Sequence, residues 1–249
     1  MTDTLPGLEA TRAPESLPPY SVRVSPRARR VRLVVTPREG LVVVVPARWR
    51  GDVAAIVAEK RAWAERALAH AADDRALFSA GPEALLPSEV ELPFLPERWR
   101  VEYRATDSSS VRAAVSGGAL VVSGDIDDAE ACLAALSRWL DRTAREVLLP
   151  ALARTAADAG LPYASARVRR QRSRWGSCSS RRTISLNRNL VFLPEHLVRA
   201  LMLHELAHTL VMNHSARYWT TLERFDPDAH EHRVQMKDAG RYVPAWADA

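Results

Sequence analysis

The sequence predicts an α+β fold: a small β-rich N-terminal part followed by a mixed domain built around one buried helix. Three observations predict it. Short β-branched runs separated by Pro- and Gly-containing turns fill much of the chain before residue 125. A long helix-patterned region opens at Asp127. A nearly all-apolar stretch, Leu197 to Val211, then carries His204, Glu205 and His208 where a surface helix would carry a charged face. The expected organisation is a flexible tail over 1–20, a β-rich subdomain with one helix over 21–125, and the mixed domain over 126–249.

At 249 residues the chain can bury a sizeable core, and 47% hydrophobic content with mixed charge marks it as globular. Two cysteines, Cys132 and Cys178, form no disulfide framework, so a reducing cytoplasm is the expected compartment. No run approaches 18 apolar residues, which argues against a membrane partner. Residues 1–20 show neither the basic nor the apolar region of a secretion signal. The net charge of +5 is unevenly spread. Between Leu161 and Leu190 stand Arg167, Arg169, Arg170, Arg172, Arg174, Arg181, Arg182 and Arg188, with no acidic residue.

In order, Arg30–Thr36 and Leu41–Val45 read as a hairpin turned by Pro37-Arg38-Glu39-Gly40. Asp52 caps a helix running through Trp63 to about Ala72, with Val53, Ile56, Val57, Ala64 and Leu68 on its buried face. Asp73–Pro96 holds four prolines and reads as irregular. Trp99–Arg104, Val111–Val115 and Ala119–Val122 read as a small meander turned at Gly117-Gly118. Arg27, Arg29, Arg30 and Arg32 are the cations of a solvated strand edge more readily than a nucleic-acid patch. From Asp127 a helix passes Trp139 and Val147; Pro150 kinks it or begins a second helix ending near Gly160. A strand over 166–170, a Ser-rich loop over Arg172–Arg182 and a strand over Thr183–Asn187 follow, and Pro194 starts the apolar helix. A strand just before such a helix offers an edge to which an extended peptide can be added.

Residues four apart share a helix face, so His204 and His208 point at one metal ion, and Glu205 reaches a water there without being a ligand. Burying two imidazoles and a carboxylate in an apolar helix is costly unless they pair or bind metal. The competing reading is a pair of satisfied core histidines. His214 is the expected third ligand, since a hydrolytic zinc site keeps three protein ligands and one open position. It lies past the expected helix end, with Asn213 as the turning residue; a surface role in a capping turn is its alternative. Val211 stands where metzincins have glycine, so this is not a metzincin.

Arg174-Trp175-Gly176-Ser177-Cys178-Ser179, Ile184-Ser185-Leu186-Asn187, the His204–His208 motif and Asn213-His214-Ser215 with Tyr218-Trp219 together resemble the YgjP-like family of zinc metallopeptidases. That family is related to SprT-like peptidases and to gluzincin-type zincins. The resemblance is strong over Asp127–Gly240 and weaker over the β-β-α start. It departs at Tyr218, where the family often has Phe, and at the N-terminal tail. It implies a zincin-like domain (helix, short sheet, H-E-x-x-H helix), one zinc per chain held by His204, His208 and His214, Glu205 as general base, and protein or peptide substrates. Arg174, Trp175, Ser177 and Tyr218 are the expected substrate-binding residues. Tyr218, His230, His232 and Arg174 are oxyanion-stabilising candidates by residue type. The 167–188 arginines offer a nucleic-acid surface, or else a folded, partly internal role. A non-catalytic zinc-stabilised binding module and a hydrolase of non-peptide amides or esters are the other readings. Glu205 argues against the first of these, because a closed structural site has no use for a base.

Overall fold

The run Leu41–Val45 is apolar throughout because it is buried on both faces of the sheet in which it is the central strand. A computed structural model describes residues 17–36, 39–171 and 174–248, apart from the His70 side chain. Residues 1–16 of the expected tail, Pro37 and Arg38 of the expected turn, and Arg172 lie outside the described residues. The packing divides the chain after Ala80.

In the first unit, strands β1 (Tyr20–Ser25), β2 (Arg32–Thr36) and β3 (Gly40–Pro46) form a sheet of order β1-β3-β2. The expected hairpin is β2–β3, antiparallel; β1 adds a parallel strand on the other side. Leu41, Val43 and Val45 pack against Val57 and Ala64 from the helices that follow. Two helices stand where one was expected, α1 (Val53–Glu59) and α2 (Arg61–His70), and a third, α3 (Ala72–Ala80), follows them. Asp52 caps the first, accepting from Ala54 N at 2.8 Å and Ala55 N at 3.2 Å. Helix α3 occupies the start of the stretch read as irregular, since all four of its prolines fall after Ala80.

The second unit begins with β4 (Glu89–Leu92), β5 (Glu97–Ala105), β6 (Arg112–Ser116) and β7 (Ala119–Gly124), in the order β4-β5-β7-β6. This is not a meander, because β5 and β7 run parallel. Gly117 and Gly118, with φ of 59° and 80°, make the β6–β7 turn in a conformation that suits glycine. Helix α4 (Ala129–Ala159) binds this sheet to the rest of the unit. Arg138 donates to Val111 O at 2.9 Å, Arg142 donates to Ala113 O at 3.0 Å, and Trp139 meets Trp99 edge-to-face. The expected boundary at 125/126 therefore falls inside this unit.

Helix α4 is continuous through Pro150. That residue sits on the exposed face, where the carbonyl it leaves unpaired can meet water. Gly160, at φ 63°, ends the helix. A second sheet follows: β8 (Ser165–Arg169), β9 (Gly176–Cys178) and β10 (Thr183–Asn187), in the order β8-β10-β9. Strand β10 is the buried interior strand, so the free edge beside the next helix belongs to β9. A 3-10 turn over Arg188–Phe192 leads through Pro194 into α5 (Glu195–Ala207), then α6 (Ala216–Glu223) and α7 (Ala229–Lys237). This is the α+β, zincin-like arrangement of long helix, short sheet and histidine-bearing helix.

Of the 167–188 arginines, Arg188 takes the internal role. It is fully buried, paired with Asp141 at 2.9 Å, and donates to Ser137 O at 3.1 Å and Ala247 O at 2.6 Å. Its neighbour Asn189 donates to Asp248 at 3.0 Å, and Trp246 packs edge-to-face on Phe192. Residues 245–248 thus clamp the turn that launches α5.

Candidate metal centre

Helix α5 ends earlier than its apolar pattern suggests. Thr209 turns its hydroxyl back to Leu206 O at 2.7 Å, and His208 takes the C-cap position instead of an interior one. The chain then reverses, with Ser215 N donating to Asn213 Oδ1 at 3.3 Å. This reversal brings His214 back over the helix end. One ligand atom from each of His204, His208 and His214 lies within 4.8 Å of the other two.

Two details identify what the three rings can hold. His208 Nδ1 lies 3.0 Å from Val211 O, and a carbonyl only accepts, so Nδ1 carries the hydrogen and Nε2 keeps a lone pair. His204 Nε2 and His214 Nε2 face one another at 3.1 Å, which requires a proton or a cation between them. Tetrahedral zinc with bonds of about 2.05 Å places its nitrogen ligands about 3.3 Å apart, so the donor set fits the ion. Burial keeps the rings unprotonated. It drives His204 down to about 3, assisted by His208, His214 and Arg233, and it lowers His208 and His214 as well.

Tyr218 supports this cluster from beneath. Its ring is fully buried and stacks on His208 at 4.5 Å, and its hydroxyl donates to His204 O at 3.1 Å. Leu203, Ala207, Leu222 and Ala229 complete the core around it. Its hydroxyl is therefore engaged with backbone.

Glu205 is 4% exposed and points at β9, where its carboxylate accepts the Cys178 N–H. The neighbouring Ser179 N donates to Thr183 O on β10, so the alternation of the strand aims Cys178 N–H the other way, toward the helix. The carboxylate also occupies the space beside Gly176. An added Cβ there would stand 2.7 Å from Oε1. Burial raises the Glu205 carboxyl to about 7, with Arg174 and the Cys178 N–H pulling it down less strongly.

The other expected residues are scattered. Arg174 is exposed, within electrostatic reach of Glu205. Trp175 is half-buried and its carbonyl accepts Asn187 N at 2.8 Å; Ser177 lies opposite Ser185 in the sheet. Asn187, given no role by sequence, holds this approach in place by donating to Gln171 O at 2.8 Å and Arg174 O at 3.0 Å. His230 stacks on Trp219 and pairs with Glu223 at 3.2 Å, and His232 Nδ1 bonds Asp226 at 2.9 Å, so both rings already have partners. Arg167, Arg169, Arg181 and Arg182 are exposed, with Arg167 Nε donating to Ser185 Oγ at 3.2 Å.

Residues 29–239 match the model of the YgjP-like metallopeptidase domain. The chain belongs to the YgjP-like family. Membership implies a metal ion and protein or peptide substrates, and the three-histidine cluster is where the described residues could hold that ion. Among solved structures the chain is similar to the metallopeptidase zymogens abylysin of Pyrococcus abyssi, at 24% identity, and jannalysin of Methanocaldococcus jannaschii, at 17%. Each covers 36% of this YgjP-like chain and 94% of its own, at a TM-score of 0.33. No curated protein matches. Among the described residues, no helix is long and apolar enough to cross a membrane.

Proposed function

We propose that this chain is a zinc-dependent peptidase of a reducing, cytoplasmic compartment, with one zinc on His204, His208 and His214 and Glu205 as general base. The observation that carries this reading is the close approach of His204 Nε2 and His214 Nε2, 3.1 Å apart, with the ionisable Glu205 carboxylate one residue from the first. The free thiols of Cys132 and Cys178 fit the compartment.

Bound zinc would polarise the scissile carbonyl and acidify water. The protein's own residues supply the rest. Glu205 Oε1 takes the proton of the attacking water and passes it to the leaving amine. Its burial makes it a stronger base than an exposed carboxylate, which suits that shuttle. The Cys178 N–H and the bare face of Gly176 fix its position, and Tyr218 fixes the backbone of His204. The interior position of β10 moves the expected strand addition to β9, whose outer edge lies beside α5.

Metal analysis by mass spectrometry tests the reading. Wild type should carry about one zinc per chain, His214→Ala much less, and Glu205→Gln the full amount with peptide hydrolysis lost. A folded wild type without metal, or a Glu205→Gln protein as active as wild type, would refute it.

A second reading concerns the sheet edge. Arg167 and Arg169 stand in the middle and at the end of β8, and Ala164 N donates to Arg182 O at 2.9 Å, which puts the β9–β10 turn beside the start of that strand. These exposed cations are spread along the sheet, a run suited to a phosphate backbone. Its signature is binding that weakens steeply with salt.

A further inference from the structure

Arg233 was not singled out by any sequence pattern, yet its charge reaches the metal centre. It lies on α7, three residues after His230, so the two side chains share a helix face. Both meet Trp219. His230 stacks on the indole at 4.6 Å with planes 19° apart, and the Arg233 guanidinium lies over it at 5.2 Å. The same indole stands 6.2 Å from the His214 ring. His230 is tied in turn to Glu223. A guanidinium over an aromatic face is held more firmly than a surface arginine usually is.

Through this one indole Arg233 stands close to the three-histidine cluster, and the placement has an electrostatic cost. A site that takes up a divalent cation is weakened by a fixed cation next to it. Among the described residues no carboxylate lies within ion-pair distance of Arg233, although Glu223 on α6, Asp226 and Asp228 in the connection and Glu231 on α7 are close by in sequence. A pre-oriented, exposed guanidinium without an anion, set beside a reacting centre, has the geometry of an anion receptor. Arg174 is the other cation near the centre, but its field falls on Glu205.

We propose that Arg233 anchors a substrate carboxylate next to the scissile bond. The preferred peptides would carry, on the Trp219 side of the metal centre, an acidic side chain or a free C-terminal carboxylate. This rests on the peptidase reading above and names its substrate class. Arg233 is thus a specificity residue, and its loss should raise KM for such peptides while leaving kcat nearly unchanged.

The test uses the full zinc-loaded chain and matched internally quenched peptides. One series exchanges Asp for Asn on either side of the scissile bond; another exchanges a C-terminal carboxylate for an amide. Wild type should favour one carboxylate-bearing series by about ten-fold in kcat/KM, a typical value for one charge-assisted contact. Which series responds identifies the source of the carboxylate. Arg233→Met should abolish the preference through KM, with kcat within two-fold, and Arg233→Lys should restore part of it. Circular dichroism and zinc content of Arg233→Met should match wild type. Binding of the same peptides to Glu205→Gln, with and without Arg233→Met, is followed by fluorescence anisotropy and decides the matter apart from turnover. If wild type hydrolyses none of the peptides but Glu205→Gln binds them selectively through Arg233, the peptidase reading fails and the carboxylate site stands. Equal handling of acid and neutral peptides, or a preference that survives Arg233→Met, overturns the proposal.

Discussion

Replacing Gly176 with alanine would put one methyl group at the tightest point of the centre. The new Cβ would stand 2.7 Å from Glu205 Oε1, 2.9 Å from Cγ and 3.0 Å from Cδ, where ordinary contact begins at 3.4 Å. Something must move by about 0.7 Å. The backbone of Gly176 is not in the left-handed region, so the effect is one of space alone. If the carboxylate yields, a base displaced by that amount loses on the order of 10–100-fold in rate. If β9 yields, overpacking costs about 1–3 kcal/mol of stability. The side chain is the softer partner, because β9 is fixed by pairing with β10 on one side and by packing on α5 on the other. The assay is kcat at saturating peptide on zinc-loaded protein, with zinc content and the urea midpoint measured on the same sample. The expected result is a 10–100-fold fall in kcat with about one zinc per chain retained, since no imidazole is touched. A kcat within two-fold of wild type would refute the claim that Gly176 sets the position of the base; loss of zinc would refute the claim that the clash is local.

Tyr218→Phe should retain the ring stack on His208 and lose only the bond to His204 O, costing about 1 kcal/mol in urea unfolding and only a few-fold in kcat. A loss of a hundred-fold or more with zinc retained would instead make the hydroxyl a transition-state donor. In metal-free protein, burial raises Glu205 from 4.5 to about 7, so the folded state binds the extra proton and stability is lost as pH rises through that window. The stability difference between metal-free Glu205→Gln and metal-free wild type should therefore grow in the variant's favour between pH 4.5 and 7, by up to about 3 kcal/mol. The lowered His204 acts oppositely, losing stability as pH falls below 6.5, and is common to both proteins. A difference that stays flat with pH would show that Glu205 is not held protonated by burial.

Much of this centre was legible because its signal is local. The i, i+4 histidines, the adjacent glutamate and Pro194 at the helix start are properties of a few neighbouring residues, and they fall where the pattern places them. The helix end was misplaced by several residues because apolar residues continue to Val211, while the Thr209 hydroxyl closes the last turn sooner. Strand β9 was read as loop: Gly-Ser-Cys has little strand propensity, and only pairing with β10 makes it a strand. The parallel joining of β5 and β7 was hidden for the same reason, since register between separated strands leaves no trace in either. Arg188 was counted with its basic neighbours, although the acceptors that permit its burial come from Ser137, Asp141 and Ala247, far away in sequence. Arg233 stands in an ordinary polar helix; only the indole beneath it distinguishes it.

The clamp formed by residues 245–248 bears on how this molecule comes into being. A chain made from its N-terminus carries Arg188 well before the acceptor 59 positions downstream that satisfies its second guanidinium nitrogen. During that interval the turn that launches the histidine helix holds a charged group without its full set of partners, an arrangement that resists burial. The histidine-bearing unit therefore acquires these contacts only after residues 245–248 have been made.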